Sequence, residues 1–206
     1  MGTDKNFKIY CAGPLFNNKE KEEMTEIAAA LEESGFSVFL PHRDGFEFAH
    51  LFDVLKTIGV SEAKANRLLN KAIFTLDVYE VLNSDGLVLN INGRVPDEGA
   101  TVEAGIAWNA GKRIVIYKND VRTLINGTDN PLLLGLSGFI TIENISEIPI
   151  AFKDLFVRDT INNKTVIDNS RLRELYQKGQ IVAELAQNGY DKTKVCHELL
   201  KIFGED

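Results

Sequence analysis

The opening forty residues constrain this chain more than any other stretch. Phe7-Lys8-Ile9-Tyr10-Cys11-Ala12 reads as a compact strand, closed by Gly13-Pro14, which cannot continue a ladder. From Asn18 to Glu33, Met24, Ile27, Ala28 and Leu31 recur at three- and four-residue spacings. They form one apolar helix face, and Gly35 stops it. Phe36-Ser37-Val38-Phe39-Leu40 is a second strand, ended by Pro41. A strand–helix–strand start of this kind favours a parallel α/β sheet.

The rest of the pattern continues the alternation. Phe46 to Leu82 is helical in two pieces broken near Gly59, with Ser61 as the second cap and Leu68, Leu69, Ala72 and Ile73 facing inward. Asp85 to Ile91 reads as a buried central strand around Leu87-Val88-Leu89. A Gly/Pro loop follows, then a helix from about Ala100 to Ala110 with Gly111 as its stop. Arg113–Tyr117 and the shorter Phe139–Ile142 complete five strands. The tail from Ser170 to Phe203 reads as two further helices. The expected division is an α/β domain over 1–160 and a helical C-terminal extension over 161–206 packed on it.

Composition limits what such a sheet could serve. The 206 residues are 44% apolar and 26% charged, enough for a real core, and carry a net charge of −7. A broad nucleic-acid surface needs a basic field, so DNA or RNA is not the expected partner. Cys11 and Cys196 lie at opposite ends and share no motif with a histidine, which suits a reducing cytoplasm. No apolar run approaches the ~20 residues that span a bilayer, so no membrane is expected. His42, His50 and His197 are scattered, and no metal-ligand spacing occurs. A soluble cytoplasmic protein without a metal is the expectation.

In an open parallel sheet, ligands bind beyond the carboxyl ends of the strands, where strand order reverses. The segments 10–16, 42–44 and 92–103 leave strand ends with polar or Gly-rich residues. Asp97 and Glu103 flank Gly99, where the chain turns into a helix. A carboxylate in the first turn feels the positive end of the helix dipole, which would keep Glu103 ionised at the mouth of the sheet. Equally, Asp97 serves as an ordinary cap and Glu103 as an ordinary early-helix glutamate. Asp77 and Asp85 flank the approach to the central strand. Asp85 reads as a turn residue, and Asp77 sits on a helix between apolar Leu76 and Val78. Tyr10, mid-strand, reads by itself as a core aromatic.

Taken together, four pieces resemble the nucleoside 2-deoxyribosyltransferase family. They are Lys8-Ile9-Tyr10-Cys11-Ala12-Gly13-Pro14-Leu15-Phe16; Asp77 ahead of Asp85; Gly93-Arg94-Val95-Pro96-Asp97-Glu98-Gly99-Ala100-Thr101-Val102-Glu103-Ala104-Gly105; and Asn126-Gly127-Thr128-Asp129-Asn130-Pro131-Leu132. The resemblance implies a flavodoxin-like open parallel five-stranded sheet with helices on both faces, and a homo-oligomer with shared active sites. It implies that Glu103 is the nucleophile at the anomeric carbon of a 2-deoxynucleoside and that Tyr10 orients it. By the same likeness Asp77 and Asp97 face the nucleobase and handle its proton, while Asn130, from an adjacent subunit, meets the sugar hydroxyls. Gly13, Phe16, Arg94 and Gly99 complete the implied substrate-binding set. Two departures stand out: Gly99-Ala100 replaces a common Gly-Thr, and Gly204-Glu205-Asp206 does not align with a C-terminal carboxylate used by some members.

The chemistry fits that constellation. Breaking an N-glycosidic bond builds positive charge on the sugar, and an anionic glutamate stabilises that charge and then bonds to it. A second carboxyl group assists departure of the base. No cofactor is needed. The expected activity is 2-deoxyribosyl transfer between free nucleobases. The first alternative is a 2-deoxynucleoside 5-monophosphate N-glycosidase, in which Arg43, Arg94 or the amides of Gly13 to Asn17 bind the phosphate. The second is a nucleotide-binding sensor without catalysis.

Overall fold

The computed structural model describes residues 6–46, 48–93, 95–122, 127–158, 170–187 and 191–204. These fall into two compact units, Met1–Arg43 with Val81–Val166, and Asp44–Glu80 with Ile167–Asp206. The segment 44–80 therefore groups with the C-terminal helices, whereas the sequence reading placed it in the sheet domain.

The first unit is built on a five-stranded parallel sheet. Its strands are β1 (Lys8–Ala12), β2 (Ser37–Phe39), β3 (Gly86–Asn90), β4 (Arg113–Tyr117) and β5 (Thr141–Ile142). They lie in the order β2-β1-β3-β4-β5, and every pairing is parallel. This is the flavodoxin-type order, and its reversal point falls between β1 and β3. Register aligns Tyr10 with Leu87 and Leu87 with Ile114, while Cys11, Val88 and Val115 form the next row. Because side chains alternate, the two rows face opposite ways.

The Cys11–Val88–Val115 row is covered by α1 (Asn18–Glu33) and α7 (Ile148–Arg158), through Met24, Ile27, Leu31, Ile148 and Phe152. The Tyr10–Leu87–Ile114 row is covered by α5 (Glu98–Asn109), whose buried residues are Ala100, Ala104 and Ala107. The helix α1 starts on a capping box. The Asn17 side chain accepts from Glu20 N at 3.0 Å, and Glu20 Oε2 accepts from Asn17 N at 3.2 Å.

The second unit contains α3 (Phe48–Thr57), most of α4 (Glu62–Asn83), α8 (Ser170–Gln187) and α9 (Lys192–Phe203). Leu51, Leu55, Leu69, Val195, Cys196 and Leu199 are buried there. Gly179 of α8 meets Tyr79 of α4 so closely that a Cβ would lie 2.2 Å from the Tyr79 Cβ, and the Tyr79 and Tyr176 rings pack at a tilt with centroids 5.1 Å apart.

Two short helices, α2 (Pro41–Asp44) and α6 (Pro131–Leu134), and the whole of α7 were not expected from sequence. The central helix break is where it was expected, with Gly59 at φ +87° between α3 and α4. The last strand is shorter than expected, only Thr141–Ile142. Among the described residues, no helix is long and apolar enough to cross a membrane.

Candidate active site

Tyr10 lies in the middle of β1 and points to the α5 face, fully buried and stacked on Phe39 at 5.6 Å. Its hydroxyl nevertheless donates to Glu103 Oε1 at 2.7 Å. Alanines at positions 100, 104 and 107 let α5 lie close enough to the sheet for this contact. Glu103 is half-buried at the edge of that interface. An O–H donor to a carboxylate at this distance is a strong, charge-assisted hydrogen bond. It fixes one oxygen of Glu103 against the buried phenol.

Glu103 does not lie in the first turn of its helix, where it was expected. The helix starts at Glu98, so Glu103 lies in its second turn, where the end-of-helix field has already decayed. The Tyr10 phenol, not the helix dipole, holds this carboxylate.

Asp97 is the N-cap of α5. Its Oδ1 accepts from Ala100 N at 2.7 Å, and its backbone carbonyl accepts from the Thr101 hydroxyl at 2.8 Å. Capping uses one oxygen; Oδ2 makes no hydrogen bond among the described residues. Asp97 is thus both a cap and a carboxylate one and a half turns before Glu103. Gly99 sits inside that cap, where a Cβ would lie 3.2 Å from Asp97 Oδ1.

Gly13 ends β1 in a place with no room for a side chain. A Cβ there would sit 2.5 Å from Met24 Sδ and 2.9 Å from Asn90 Cβ. Phe16, three residues on, is 82% exposed at the mouth of the same loop. Asn130 caps α6, with its Oδ1 accepting from Leu132 N at 2.9 Å. Asp77 lies on α4 within the second unit, half-buried between buried Leu76 and Val78. Arg94 lies outside the described residues. Asp85 is at the opposite, amino end of the sheet, where its Oδ2 accepts from Lys8 N at 2.9 Å. Among the described residues, no cluster of three or more His, Cys, Asp or Glu side chains could hold a metal ion.

Sequence reasoning missed two features of this edge. Glu20 Oε2 accepts from Phe16 N at 2.8 Å as well as from Asn17 N, so a carboxylate of the chain itself occupies the N-terminus of α1. The Asn17-x-x-Glu20 spacing could have signalled it. The other feature is a buried charge cluster after β4, in which Lys118 binds Asp129 Oδ1 and Oδ2 at 2.7 and 2.6 Å. Nothing local announces that pairing.

The strand order defines a doubly wound α/β protein, and its reversal point between β1 and β3 is where sheets of this class bind ligands. The chain belongs to the nucleoside 2-deoxyribosyltransferase family, whose model matches residues 9–191. That family comprises enzymes that transfer or hydrolyse a glycosyl bond. Among solved structures, the chain is similar to a conserved protein from Enterococcus faecalis V583. The two are 19% identical, with a TM-score of 0.53, and the match covers 72% of this chain and 98% of that one. A 2-deoxyribosyltransferase from Bacillus psychrosaccharolyticus is 20% identical, with a TM-score of 0.49 over 69% and 90% of the two chains. A CMP N-glycosidase from Clostridium botulinum is 16% identical, with a TM-score of 0.42 over 71% and 98%. Comparison with curated proteins gives no match.

Proposed function

We propose that this chain transfers a 2-deoxyribosyl group between nucleobases by double displacement through a glycosyl ester on Glu103. The observation that carries the reading is the Tyr10–Glu103 contact of 2.7 Å, in a chain of this family. In the first step a Glu103 carboxylate oxygen bonds to the anomeric carbon as the bond from that carbon to the base nitrogen breaks. The departing nitrogen takes a proton from a second carboxyl group, for which Asp97 at the start of α5 is the candidate. In the second step the nitrogen of another base attacks the anomeric carbon as its bond to the Glu103 oxygen breaks, which frees the Glu103 carboxylate, and the incoming base returns a proton to the same group. Splitting one displacement into two in this way needs a nucleophile held in place, and the Tyr10 phenol holds Glu103 by one oxygen.

Water in place of the second base would give an N-glycosidase acting on a deoxynucleoside monophosphate. Three of the groups expected to hold its phosphate are engaged elsewhere. The Phe16 and Asn17 amides donate to Glu20, and Arg43 pairs with Glu32 at 2.7 Å. A carboxylate already at a helix N-terminus repels a phosphate there. This supports a nucleoside with an uncharged 5′-hydroxyl. A sensor without catalysis has no use for a carboxylate held in this way.

The proposal includes a homo-oligomer with shared sites. Within the first unit, Trp108 and Val102 on the outer face of α5, and Leu132, Phe139 and Ile140 beyond β4, are exposed, Leu132 by 81%. Exposed apolar residues in such number mark a contact surface, and a second copy is the proposed occupant. Of the leucines after Asn130, Leu133 is buried in its own unit.

Product analysis of deoxyinosine plus free adenine, run beside a deoxynucleoside monophosphate alone, tests the reading. Base exchange in the first mixture is expected. Free sugar phosphate from the second overturns it in favour of the hydrolase, and no product from either leaves only the sensor.

A further inference from the structure

We infer that Lys118 is a positioning residue for the reaction: buried at the end of β4, it holds in register the two loops that bear Asp97 and Asn130. The inference rests on the reading above for what those loops do. The clamp itself rests on geometry.

Lys118 follows Tyr117 directly and is 9% exposed, which is unusual for a lysine unless it is paired. Its ammonium donates to both oxygens of Asp129 and to the Arg122 carbonyl, and lies 3.8 Å from Asp120 Oδ1. Each acidic partner leads to a different loop. Asp129 immediately precedes Asn130, the cap of α6. Asp120 Oδ2 accepts from Gly93 N at 2.8 Å, four residues ahead of Asp97.

Gly93 has φ +124°, a conformation that L side chains rarely adopt, so the loop has one specific path at that point. The same loop is held from its other side. Asn92 Oδ1 accepts from Asn119 N at 2.7 Å, and Glu23 of α1 accepts from Asn90 and Asn92 at 2.8 and 2.9 Å. The path by which the chain enters α5 is therefore set by a polar network between α1 and β4. Among the described residues of this network, Lys118 is the side chain joined both to the Gly93 contact and to the Asn130 segment. A buried ammonium is expensive to desolvate, and apolar residues replacing both Lys118 and Asp129 would fill the space at less electrostatic cost. Its retention here fits a role in fixing loop geometry.

The test uses the full chain and four forms: wild type, Lys118→Met, Lys118→Arg and the double variant Lys118→Met with Asp129→Asn. The double variant removes the uncompensated carboxylate and so guards against simple unfolding. Amide hydrogen exchange is read at Gly93 and at Ala100–Thr101, below the melting temperature of every form. Base exchange is measured alongside.

In both Met variants, Gly93 should exchange at least about tenfold faster than in wild type. Their kcat should fall roughly 10–100-fold, the cost of a small misplacement away from the chemistry. KM should move by less than about threefold. Lys118→Arg, which restores a cation, should recover most of kcat. Unchanged Gly93 exchange in both Met variants overturns the clamp. Faster exchange with wild-type kcat overturns the positioning role, as does equal loss in the Met and Arg forms. Wild-type protein that acts on no deoxynucleoside sinks the functional reading instead, and the Gly93 exchange separates that failure from failure of the clamp.

Discussion

The two faces of the sheet are covered in different ways, and the difference separates stability from chemistry. On the α1/α7 face, long side chains interdigitate: Met24, Ile27 and Leu31 from α1, Ile148 and Phe152 from α7, with Phe36 ring to ring against Phe152 at 6.1 Å. On the other face, α5 offers only Ala100, Ala104 and Ala107 to the strands. The first arrangement removes much apolar area from water and so contributes most to holding the fold. The second contributes less, but it brings a helix down onto a buried tyrosine, so that Tyr10 reaches Glu103. Small residues are a cost to the core on that face and a requirement of the site.

The largest effect on activity should come from the α5 face. Glu103→Gln removes the proposed nucleophile while keeping an oxygen for Tyr10, so base exchange should vanish with the melting temperature nearly unchanged. Normal exchange by the purified variant would remove Glu103 from the mechanism. The largest effect on stability should come from the opposite face. Phe152→Ala should cost about 3–5 kcal/mol, while turnover per folded molecule stays at the wild-type level. A loss of turnover at full folding would erase the contrast between the faces.

Ala104→Leu reverses that pattern at smaller scale. It overpacks the α5 interface at about 1–3 kcal/mol, yet by lifting the helix from β1 it should cut kcat far more than that destabilisation implies. Denaturant midpoint and kcat measured on the same sample decide it. Tyr10→Phe is gentler still. Loss of one hydrogen bond to a charged group is worth about 1.5–3 kcal/mol, so kcat should drop by roughly one to two orders of magnitude. An unchanged kcat would make the phenol a core residue and nothing more.

The two faces also differed in how far they could be read from sequence. The α1 stripe of Met24, Ile27, Ala28 and Leu31 has helical period, and all four are buried. The helix α7 carries a similar stripe through Ile148, Phe152, Leu155 and Phe156. Pro149 reads as a breaker unless the helix is known to start beside it, where proline is tolerated. The helix α5 has apolar residues on its outer as well as its inner face and so has no stripe; Trp108 is 59% exposed while Ala104 is buried. Within the site, Tyr10 is both the core aromatic its position suggested and a hydrogen-bond donor, and no pattern distinguishes the two. Asp97 is likewise the cap it resembled. What could not be read at all is long-range polar pairing. Asp120 meets Gly93 across the ends of the adjacent strands β4 and β3, and Lys118 meets Asp129 from the segment before α6; neither pairing leaves a periodic trace in the chain.

The smallest expected effect is a difference in pH response between the loop edge and the packed α1 face. At the edge, burial pushes the Asp120 carboxyl up, but donors from Gly93 and Arg122 and the Arg122 guanidinium outweigh it and hold the group below the usual carboxylate range. A carboxyl depressed by folding stabilises the protein above its unfolded value of about 3.9, and that contribution fades as pH falls through the folded value. Tyr117, on the packed face, behaves oppositely. Burial raises its phenol, against smaller lowering by the Asn119 and Asn92 side chains. Its contribution is complete below about pH 10 and is lost as pH rises through the higher folded value. Urea midpoints of wild type, Asp120→Asn and Tyr117→Phe should therefore diverge at opposite ends of the scale. The gap between wild type and Asp120→Asn should narrow from pH 7 toward about pH 3, while wild type loses stability against Tyr117→Phe only above about pH 10. A gap to Asp120→Asn that stays constant across the acid range would mean that hydrogen-bond geometry at Gly93, rather than the charge of Asp120, anchors the loop.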